Sequence, residues 1–364
     1  MTNIAMTGGH GFLGWHTRAA LCEKGIEASL VPVGENFDST QAKQAINGAE
    51  KLIHIAGINR ADDDKIREGN LSFARQLVDI LLSTENPPKV IVYANSTQAG
   101  NGSVYGEAKL AAGEILREAA EKIDAEFVDV RLPNLFGEHG RPFYNAVTAT
   151  FCHLLVEGGT PTVEVDKELT LLHAQDAADL LIGNHTIKNQ ASLEQRETVS
   201  GLLTKLQEID RTYRRGEIPD VSTPFMRNLF NTYRSYAFLV RPEFSLTKHA
   251  DVRGSFSEII RTHGGTGQTS FSTTVPGVLR GGHYHRRKVE RFLVLSGKAR
   301  ISLRKMFTDE VLHFDVNGNE PVAIDMPTMW THSIENTGDE VLFTNFWTDD
   351  HFDPNNPDTI VEAV

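Results

Sequence analysis

The fold of the N-terminal half follows from the glycine-rich stretch Thr7-Gly8-Gly9-His10-Gly11-Phe12-Leu13-Gly14, which comes directly after the apolar run Ile4-Ala5-Met6. Glycine permits a tight turn between a strand and a helix, and it lets backbone N–H groups approach a pyrophosphate at the helix N-terminus. Such a spacing also occurs in plain strand-to-helix turns, so the motif alone leaves both interpretations open. Its position after an apolar run predicts the first βα turn of a sheet.

Short apolar runs alternate with helical stretches from this turn to about residue 185. Lys89-Val-Ile-Val-Tyr93 predicts a buried strand, and the stretches 72–83 and 106–122 predict helices. Strands separated by helices form βαβ units, whose strands run parallel in one sheet. We therefore predict an α/β Rossmann-like, doubly wound parallel sheet for this part of the chain.

Beyond about residue 245 the pattern changes to strand-like segments separated by turn residues. Turn pairs such as Gly264-Gly265, Pro276-Gly277 and Gly281-Gly282 recur, and helical periodicity nearly disappears. Repeated short strands with turn signals are typical of all-β barrels and jelly rolls. We predict the join at about residues 239–244, which gives two domains, residues 1–243 and 244–364.

Composition excludes several classes of protein. The 364 residues include 36 Lys and Arg against 48 Asp and Glu, and the net charge of −12 argues against general binding of nucleic acid. No apolar run reaches the roughly 20 residues of a membrane span, and the first residues lack the basic start of a signal peptide. The two cysteines, Cys22 and Cys152, are too few for a disulfide scaffold. We expect a cytoplasmic protein with no membrane or nucleic-acid partner.

A candidate proton donor lies on the predicted helix 106–122 and just before it. Tyr105 and Lys109 are four residues apart, a spacing that places both on one face of a helix. Lys109 could then lower the pKa of Tyr105, so that the phenol donates a proton to a substrate oxygen near neutral pH. Ser96, at the end of the preceding strand, could hydrogen-bond the same oxygen. Because this spacing is also common on helices, a packing role for Tyr105 stays open.

The most specific spacing in the chain combines three histidines and a glutamate. His283 and His285 are two apart on a predicted strand, so both would face one side of a sheet, and Glu290 and His332 would converge on them from neighbouring strands. Three imidazoles and one carboxylate suit a divalent transition metal such as Zn²⁺. Any one of these histidines could be an ordinary surface or core residue, but the set together predicts a metal site.

The N-terminal half resembles the extended short-chain dehydrogenase/reductases through the glycine turn, the Tyr105–Lys109 pair and the stretches Leu52-Ile-His-Ile-Ala-Gly57 and Arg131-Leu-Pro-Asn-Leu-Phe-Gly137. The resemblance implies NAD(P) and a nucleotide-linked sugar as ligands. It implies catalytic roles for Ser96, Tyr105 and Lys109, and a substrate contact for Asn134. The cofactor-binding residues that it implies are Gly8, Gly11, Phe12, Leu13, Gly14, Ala56, Gly57, Asn70 and Lys109.

The choice between NADP(H) and NAD(H) stays open at Glu35. Reductases that use NADP commonly place an arginine after the second strand, where it holds the 2′-phosphate. Here the acidic Glu35 follows the predicted strand Leu30-Val-Pro-Val33, which suits a free ribose hydroxyl better.

The metal pattern resembles the two motifs of the cupins, Gly277-x5-His283-Tyr284-His285-x4-Glu290-x6-Gly297 and Pro327-x4-His332-x3-Asn336. The resemblance has one visible departure. The second motif usually carries a glycine two residues after its proline, and here Met329 occupies that position. The departure concerns the turn and the pocket wall more than the metal ligands.

An overlapping resemblance links the stretches 251–258 and 280–284 to the dTDP-4-keto-sugar 3,5-epimerases, which share the cupin fold. In that family arginines hold the nucleotide phosphates and a histidine acts as the base. The resemblance implies substrate-binding roles for Arg253 and Arg280, and it matches His283 to the base. Because His283 is also a predicted metal ligand, the identity of the base stays open.

Stretches along nearly the whole chain resemble the CapF family of bifunctional capsular-polysaccharide enzymes. Among them are Ala149-Thr-Phe-Cys152, Asp251-x-Arg-Gly-Ser-Phe256 and Phe352-Asp-Pro-Asn355. The resemblance implies that the cupin domain epimerises carbon 3 of a UDP-4-keto-6-deoxy-N-acetylhexosamine and that the N-terminal domain then reduces carbon 4 with NADPH. It also implies a zinc ion, a homodimer and a UDP-N-acetyl-6-deoxy-L-talosamine product for the synthesis of UDP-N-acetyl-L-fucosamine and surface polysaccharide.

The two implied activities are chemically compatible, because a 4-keto group acidifies the hydrogen on carbon 3 and a cation can stabilise the resulting enolate. Two other hypotheses stay open. In one, the protein is a reductase whose cupin serves only for binding or dimerisation, which Met329 favours. In the other, it is a non-catalytic sensor of sugar nucleotides, which the complete set of Ser96, Tyr105 and Lys109 disfavours.

Overall fold

The computed structural model describes residues 3–364, which form two compact units. The first unit comprises the described residues 3–136, together with Gly140–Val147 and Lys167–Thr198, and the second comprises Gly137–His139, Thr148–Asp166 and Val199–Val364. Within the described residues no helix is both long enough and apolar enough to cross a membrane.

Strands and helices alternate through the first part of the chain, as the sequence predicts. In chain order they are β1 Ile4–Thr7, α1 Phe12–Glu23, β2 Ser29–Leu30, α2 Ser39–Ile46, β3 Lys51–His54, α3 Asp63–Ser83, β4 Val90–Ser96, α4 Val104–Lys122, β5 Glu126–Leu132, β6 Asn134–Phe136, α5 Val147–Val156, β7 Glu168–His173, α6 Ala174–Ile182, α7 Gln190–Leu193 and β8 Gln195–Thr198. Two helices are capped at their N-termini by a side-chain oxygen that accepts a backbone N–H. Asp62 caps α3 in this way, and Ser103 caps α4.

The main sheet of the first unit has the strand order β2-β1-β3-β4-β5 with every pair parallel. Successive residues of each strand face opposite sides of the sheet, so each strand contributes to two cores. Ala5, Leu52 and Ile91 pack with α2, α3 and α4 on one face. Met6, Ile53 and Val92 pack with α1 and α6 on the other. The prediction of a doubly wound parallel sheet is confirmed.

The second unit is built mainly of β-strands. Its further elements are α8 Val199–Tyr213, α9 Pro224–Val240, β9 Glu243–Ser245, β10 Lys248–Asp251, β11 Gly254–Ser257, β12 Gln268–Thr274, β13 Leu279–Tyr284, β14 Glu290–Ser296, β15 Lys298–Lys305, β16 Val311–Asn317, β17 Val322–Met326, β18 Trp330–Asn336, β19 Leu342–Thr348 and β20 Ile360–Val361. Two five-stranded antiparallel sheets have the orders β12-β19-β14-β17-β9 and β16-β15-β18-β13-β20. The predicted all-β jelly roll is confirmed.

The compact units do not divide at the predicted join, because α8 and α9 pack with the jelly roll. Phe238 of α9 belongs to the apolar core between the sheets. Tyr213 of α8 donates a hydrogen bond to the fully buried Asp325 at 2.7 Å, and Asp325 also binds the buried Arg291 at 2.5 and 3.0 Å. Compactness does not say which segments fold independently, so the domain boundary between residues 243 and 244 stays a prediction.

Asp325→Ala should lower the free energy of unfolding by about 3–5 kcal/mol, because it leaves the charge of Arg291 buried without its partner. Urea denaturation followed by circular dichroism measures the change. Asp315→Ala is the matched control, since Asp315 pairs with Arg300 on the exposed surface and should have little effect. Equal losses of stability in the two variants would contradict the structural role assigned to Asp325.

Candidate functional site

The glycine turn between β1 and α1 requires glycine at two positions for steric reasons. Gly8 has φ +71°, and a Cβ there would lie 2.7 Å from the Ala56 nitrogen. A Cβ at Gly14 would lie 2.0 Å from the Gly8 oxygen. Gly11 is the residue before α1 and has no side chain that could cap the helix. The first backbone N–H groups of α1 therefore have no hydrogen bond to a capping side chain. These N–H groups, with Phe12 and Leu13 beginning the helix, are suited to a pyrophosphate.

A threonine and a histidine that the sequence prediction did not single out fix the neighbouring strand end. Thr7 Oγ1 accepts the N–H groups of Ile55 and Ala56, both at 3.1 Å, and lies 2.7 Å from His54 Nδ1. Burial, with the nearby charge of Lys109, lowers the pKa of His54 to about 3. The imidazole is therefore neutral and accepts the threonine proton. This network holds Ala56 and Gly57 against the glycine turn.

Asn70 shapes the same edge of the sheet through the backbone. Its amide nitrogen donates to the carbonyl oxygens of Ile58 and Ile66 at 2.8 and 2.7 Å, and its oxygen accepts the Ile58 N–H at 3.2 Å. A Cβ at Gly57 would lie 2.9 Å from the Asn70 oxygen. The structure therefore brings together Ala56, Gly57 and Asn70, with Asn70 supporting the loop that the other two form.

Ser96, Tyr105 and Lys109 lie at the carboxyl end of β4 and in the first turns of α4. The hydroxyl of Tyr105 lies close enough to Ser96 for the serine to lower its pKa. Lys109 is buried, donates from Nζ to the carbonyl oxygen of Ala94 at 2.8 Å, and lies 4.1 Å from the centre of the Tyr93 ring. The predicted trio is therefore assembled on adjoining elements of one unit.

The sequence predicts that Lys109 lowers the pKa of Tyr105, and this prediction is wrong for the protein without a bound cofactor. Burial raises the pKa of Tyr105, the hydrogen bond with Ser96 opposes this rise, and Tyr144 adds to it. Burial also lowers the pKa of Lys109 to about 7, with Asp129 opposing the shift. Burial is thus the largest cause of both shifts, and Tyr105 is a protonated phenol at neutral pH.

The remaining candidates of the first unit are exposed. Glu35 lies in a short 3-10 helix, Gly34–Asn36, after β2 and within electrostatic reach of Lys65. Asn134 begins β6 and donates to the Thr170 carbonyl oxygen at 3.1 Å. The surroundings of Glu35 therefore hold both an anion and a cation, which keeps the choice between a ribose hydroxyl and a 2′-phosphate open.

Four predicted metal ligands converge between the two sheets of the jelly roll. His283 on β13 and His332 on β18 are register partners in one sheet, Glu290 lies on β14 of the other, and His285 follows the end of β13. One potential ligand atom from each residue lies within 4.8 Å of the others. A bulge between Gly281 and His283 accompanies this arrangement. The cluster matches the predicted set residue for residue.

The charge of this cluster suits a divalent cation. Glu290 is buried, with Oε2 3.0 Å from His285 Nε2 and 3.2 Å from His332 Nε2. Burial alone would raise the pKa of Glu290, but the two histidines hold it well below its usual value. Burial, with repulsion from His332 and His285, lowers the pKa of His283 to about 3. A buried carboxylate and imidazole nitrogens form the donor set that zinc prefers.

The two arginines predicted to bind phosphate are not equivalent. Arg253 lies at the exposed tip of the β10–β11 hairpin, where its guanidinium binds Asp251 at 2.6 Å and 3.2 Å. Arg280 is exposed on β13, three residues before His283. Arg280 is thus placed beside the metal ligands, whereas Arg253 is held within its own hairpin.

Met329 has a backbone conformation that glycine favours, which explains why the cupin motif usually carries glycine there. Its φ is +59°, its side chain is fully buried, and its N–H donates to the carbonyl oxygen of His285 at 2.7 Å. The hydrogen bond between the turn before β18 and His285 therefore forms with methionine at this position, and the backbone strain is confined to Met329.

Met329→Gly and Met329→Ala should both destabilise the protein, because each removes a buried side chain. The glycine variant should nevertheless be more stable than the alanine variant by about 1 kcal/mol, since only glycine relieves the positive φ. Urea denaturation of the two variants measures the difference. An alanine variant as stable as the glycine variant would contradict backbone strain at this position.

A cleft of about 810 Å³ opens at the amino ends of β1, β3 and β4, where its lining includes Lys24, Lys51 and Pro87. The glycine turn and Ser96 lie at the carboxyl ends of these strands. The cleft is therefore separate from the candidate cofactor site.

Comparisons with known proteins cover both units. Residues 4–190 match the NAD dependent epimerase/dehydratase family, and residues 249–360 match the polysaccharide biosynthesis C-terminal domain. A relative from Pseudomonas aeruginosa, UDP-2-acetamido-2,6-beta-L-arabino-hexul-4-ose reductase, is 32% identical over 99% of this chain and 98% of its own.

Solved structures give the same correspondence. The crystal structure of the capsular polysaccharide assembling protein CapF from Staphylococcus aureus aligns with a TM-score of 0.63 and 33% identity, and the match covers 100% of both chains. UDP-glucose 4-epimerase from Thermotoga maritima aligns over 66% of this chain with a TM-score of 0.53 and 16% identity, a likeness of fold alone.

Proposed function

Because the chain belongs to the NAD-dependent epimerase/dehydratase family and, over its whole length, to the CapF-like family, we propose that it is a bifunctional nucleotide-sugar enzyme. The jelly roll epimerises carbon 3 of a UDP-4-keto-6-deoxy-N-acetylhexosamine, and the parallel-sheet unit reduces carbon 4 with NAD(P)H. The product is of the UDP-N-acetyl-6-deoxy-L-talosamine type, made for UDP-N-acetyl-L-fucosamine and surface polysaccharide.

The closeness of the Tyr105 hydroxyl to Ser96, which is enough for Ser96 to lower the pKa of the phenol, is the observation that carries the reductase proposal. A bound nicotinamide supplies the hydride for carbon 4. The oxygen on that carbon then takes the proton of the Tyr105 hydroxyl, which Ser96 orients. Because burial raises the pKa of Tyr105, the phenol keeps its proton until the substrate oxygen gains charge. Gly8, Gly11 and Gly14 leave the start of α1 open to the pyrophosphate.

The four-residue cluster supports the epimerase proposal. His283, His285, Glu290 and His332 would hold a zinc ion, which supplies Lewis-acid stabilisation of the enolate oxygen when it is bound. His283 lies within the cluster, its ring centre 4.5 Å from that of His332, and the pKa of its imidazole is lowered to about 3. This favours a ligand role over a base role for His283. Arg280, exposed three residues earlier, is the better placed arginine for the nucleotide phosphates.

A second candidate function rests on the number of ligands. Structural zinc sites have four protein ligands, whereas catalytic sites commonly have three and leave one position open. Four protein side chains converge here. In this candidate the protein is a 4-keto-sugar reductase whose jelly roll only binds the metal and substrate or mediates dimerisation.

Two reciprocal variants distinguish the candidates. With the 4-keto sugar nucleotide, wild-type protein should oxidise NADPH or NADH, and Tyr105→Phe should reduce that rate at least 100-fold, in line with the loss of a general acid. In D₂O without cofactor, wild-type protein and Tyr105→Phe should both introduce deuterium at carbon 3, and His285→Ala should not. Absorbance and proton NMR are the measurements.

Failure of wild-type protein to oxidise either cofactor would overturn the reductase proposal. Deuterium exchange that is absent from wild-type protein would favour the second candidate. Exchange that is unchanged after removal of the metal with a chelator would overturn the role assigned to zinc. Circular dichroism of His285→Ala controls for loss of the fold.

Glu35→Gln should shift the ratio of kcat/KM toward NADPH several-fold, because the change removes a negative charge near the expected position of the 2′-phosphate. Steady-state rates with NADPH and NADH measure this ratio. Glu27→Gln, which alters another exposed carboxylate of the same unit, serves as the control. An unchanged ratio in Glu35→Gln would place cofactor selection elsewhere.

We also propose that the enzyme is a cytoplasmic homodimer. Exposed apolar side chains on the jelly roll, including Phe271, Leu279 and Phe343, support an association between copies. Light scattering coupled to size-exclusion chromatography should give twice the mass of the chain. A mass of one chain at micromolar concentration would contradict the dimer.

A further inference from the structure

A segment beyond the metal ligands contacts three of the four ligand-bearing regions. We define it as the strap, residues 353–362. Val361 and Ile360 of β20 pair with His283 and Tyr284 of β13. The N–H of Glu362 donates to the Gly282 carbonyl oxygen at 3.0 Å. The strap thus forms the edge of the sheet on which His283 lies.

The strap also contacts the strand that carries His332. Thr331, the residue before that ligand, donates from Oγ1 to the carbonyl oxygen of Glu362 at 2.5 Å. Arg304 on β15 binds the carboxylate of Glu362 at 3.0 Å. A displacement of the strap would therefore disturb both β13 and β18.

Asp358 connects the strap to the third ligand, His285. The backbone carbonyl oxygen of Asp358 accepts a hydrogen bond from His285 Nδ1. An imidazole that donates from Nδ1 can bind a metal through Nε2, and His285 Nε2 is the atom that lies 3.0 Å from Glu290 Oε2. The contact therefore selects the tautomer that a metal requires.

The carboxylate of Asp358 holds the loop that follows His285. It accepts the N–H groups of Arg286, Arg287 and Lys288 at 3.0, 2.9 and 2.8 Å. Asp358 is itself buried and has φ +45°, a conformation that costs energy for a residue other than glycine. Three N–H groups bound to one carboxylate offset this strain, which indicates that the conformation is maintained by the loop contact.

We propose that the strap is required for metal binding at this site, and that Asp358 is a positioning residue that orients His285. This inference rests on the metal site of the proposed function. Because the strap holds the ligands in their binding geometry, metal binding and strap docking are thermodynamically coupled. Each must then stabilise the other by the same amount.

Zinc affinity of the apoprotein, measured by competition with a chromophoric chelator, tests the positioning role. Asp358→Ala should weaken zinc binding by about 10–100-fold, the usual effect of losing a group that orients a ligand. Asp358→Asn should weaken it less, because asparagine tolerates positive φ and keeps one acceptor oxygen. Asp124→Ala and Asp124→Asn are matched controls, since Asp124 also has a positive φ, +56°, on the exposed turn after α4.

Two further measurements separate positioning from a general structural effect. Nitrogen NMR of the zinc-bound protein should show His285 bound through Nε2 with its proton on Nδ1 in wild type, and should no longer show this single species in Asp358→Ala. Hydrogen exchange of the Glu362 amide should slow when zinc is added to wild-type protein, by the same factor by which undocking of the strap weakens zinc binding.

The outcomes are distinguishable. If wild-type protein binds no zinc, the metal site of the proposed function fails, and this inference fails with it. If wild-type protein binds zinc and both folded Asp358 variants bind it within twofold of wild type, the strap inference fails and the metal site stands. If Asp358→Ala does not fold, Asp358→Asn decides the question by the same criterion.

Discussion

The carboxylate of Glu290 lies in the interior of the jelly roll, 3.0 Å from one imidazole and 3.2 Å from another. Removing an ionised carboxylate from water is costly unless cations or hydrogen-bond donors surround it. Much of the second unit is arranged to meet this requirement. The two sheets bring His283 and His332 to the carboxylate from the opposite side, and the loop after β13 adds His285. The same requirement makes the cluster attractive to a divalent cation.

Desolvation also determines the chemistry of the parallel-sheet unit. Lys109 is buried against Ala94 and Tyr93, and burial lowers its pKa to about 7. Tyr105 is buried as well, and its pKa is raised. A reductase needs a phenol that is protonated when the substrate oxygen becomes negative, and this environment keeps the proton on Tyr105 until then. The spacing of Tyr105 and Lys109 in the sequence indicates an attraction between a cation and a phenolate but does not show that both groups are buried, so it predicts the opposite direction for the pKa shift of Tyr105.

Residues whose roles depend on local spacing were predictable from the sequence. Gly8 and Gly14 follow a strand at the separation that a tight turn requires, and the histidines and Glu290 have the spacing of ligands on adjoining strands. The helical pattern likewise located α3 and α4, although the structure begins α3 earlier, at Asp63. The alternation of apolar strands and helices was sufficient to predict the parallel sheet, because both faces of each strand are buried.

Roles that depend on contacts between distant segments were not predictable in this way. Asp358 has no motif around it, and the role proposed for it depends on contacts between the strap and the loop 286–288. Thr7 and His54 form a pair only when β1 and β3 align. Tyr213 of α8 donates a hydrogen bond to the buried Asp325, which the sequence does not distinguish from other aspartates.

The position of Asp358 in the chain has a consequence for the order of maturation. A growing polypeptide leaves the ribosome from its amino end, so all four metal ligands emerge before the strap does. During that interval β13 lacks an edge partner and His285 lacks the carbonyl group that fixes its tautomer. The nascent jelly roll would thus pass through a stage in which it holds metal weakly. Because the strap follows all four residues in the chain, the proposed metal-binding geometry is complete only after residues 353–362 have left the ribosome and paired with β13.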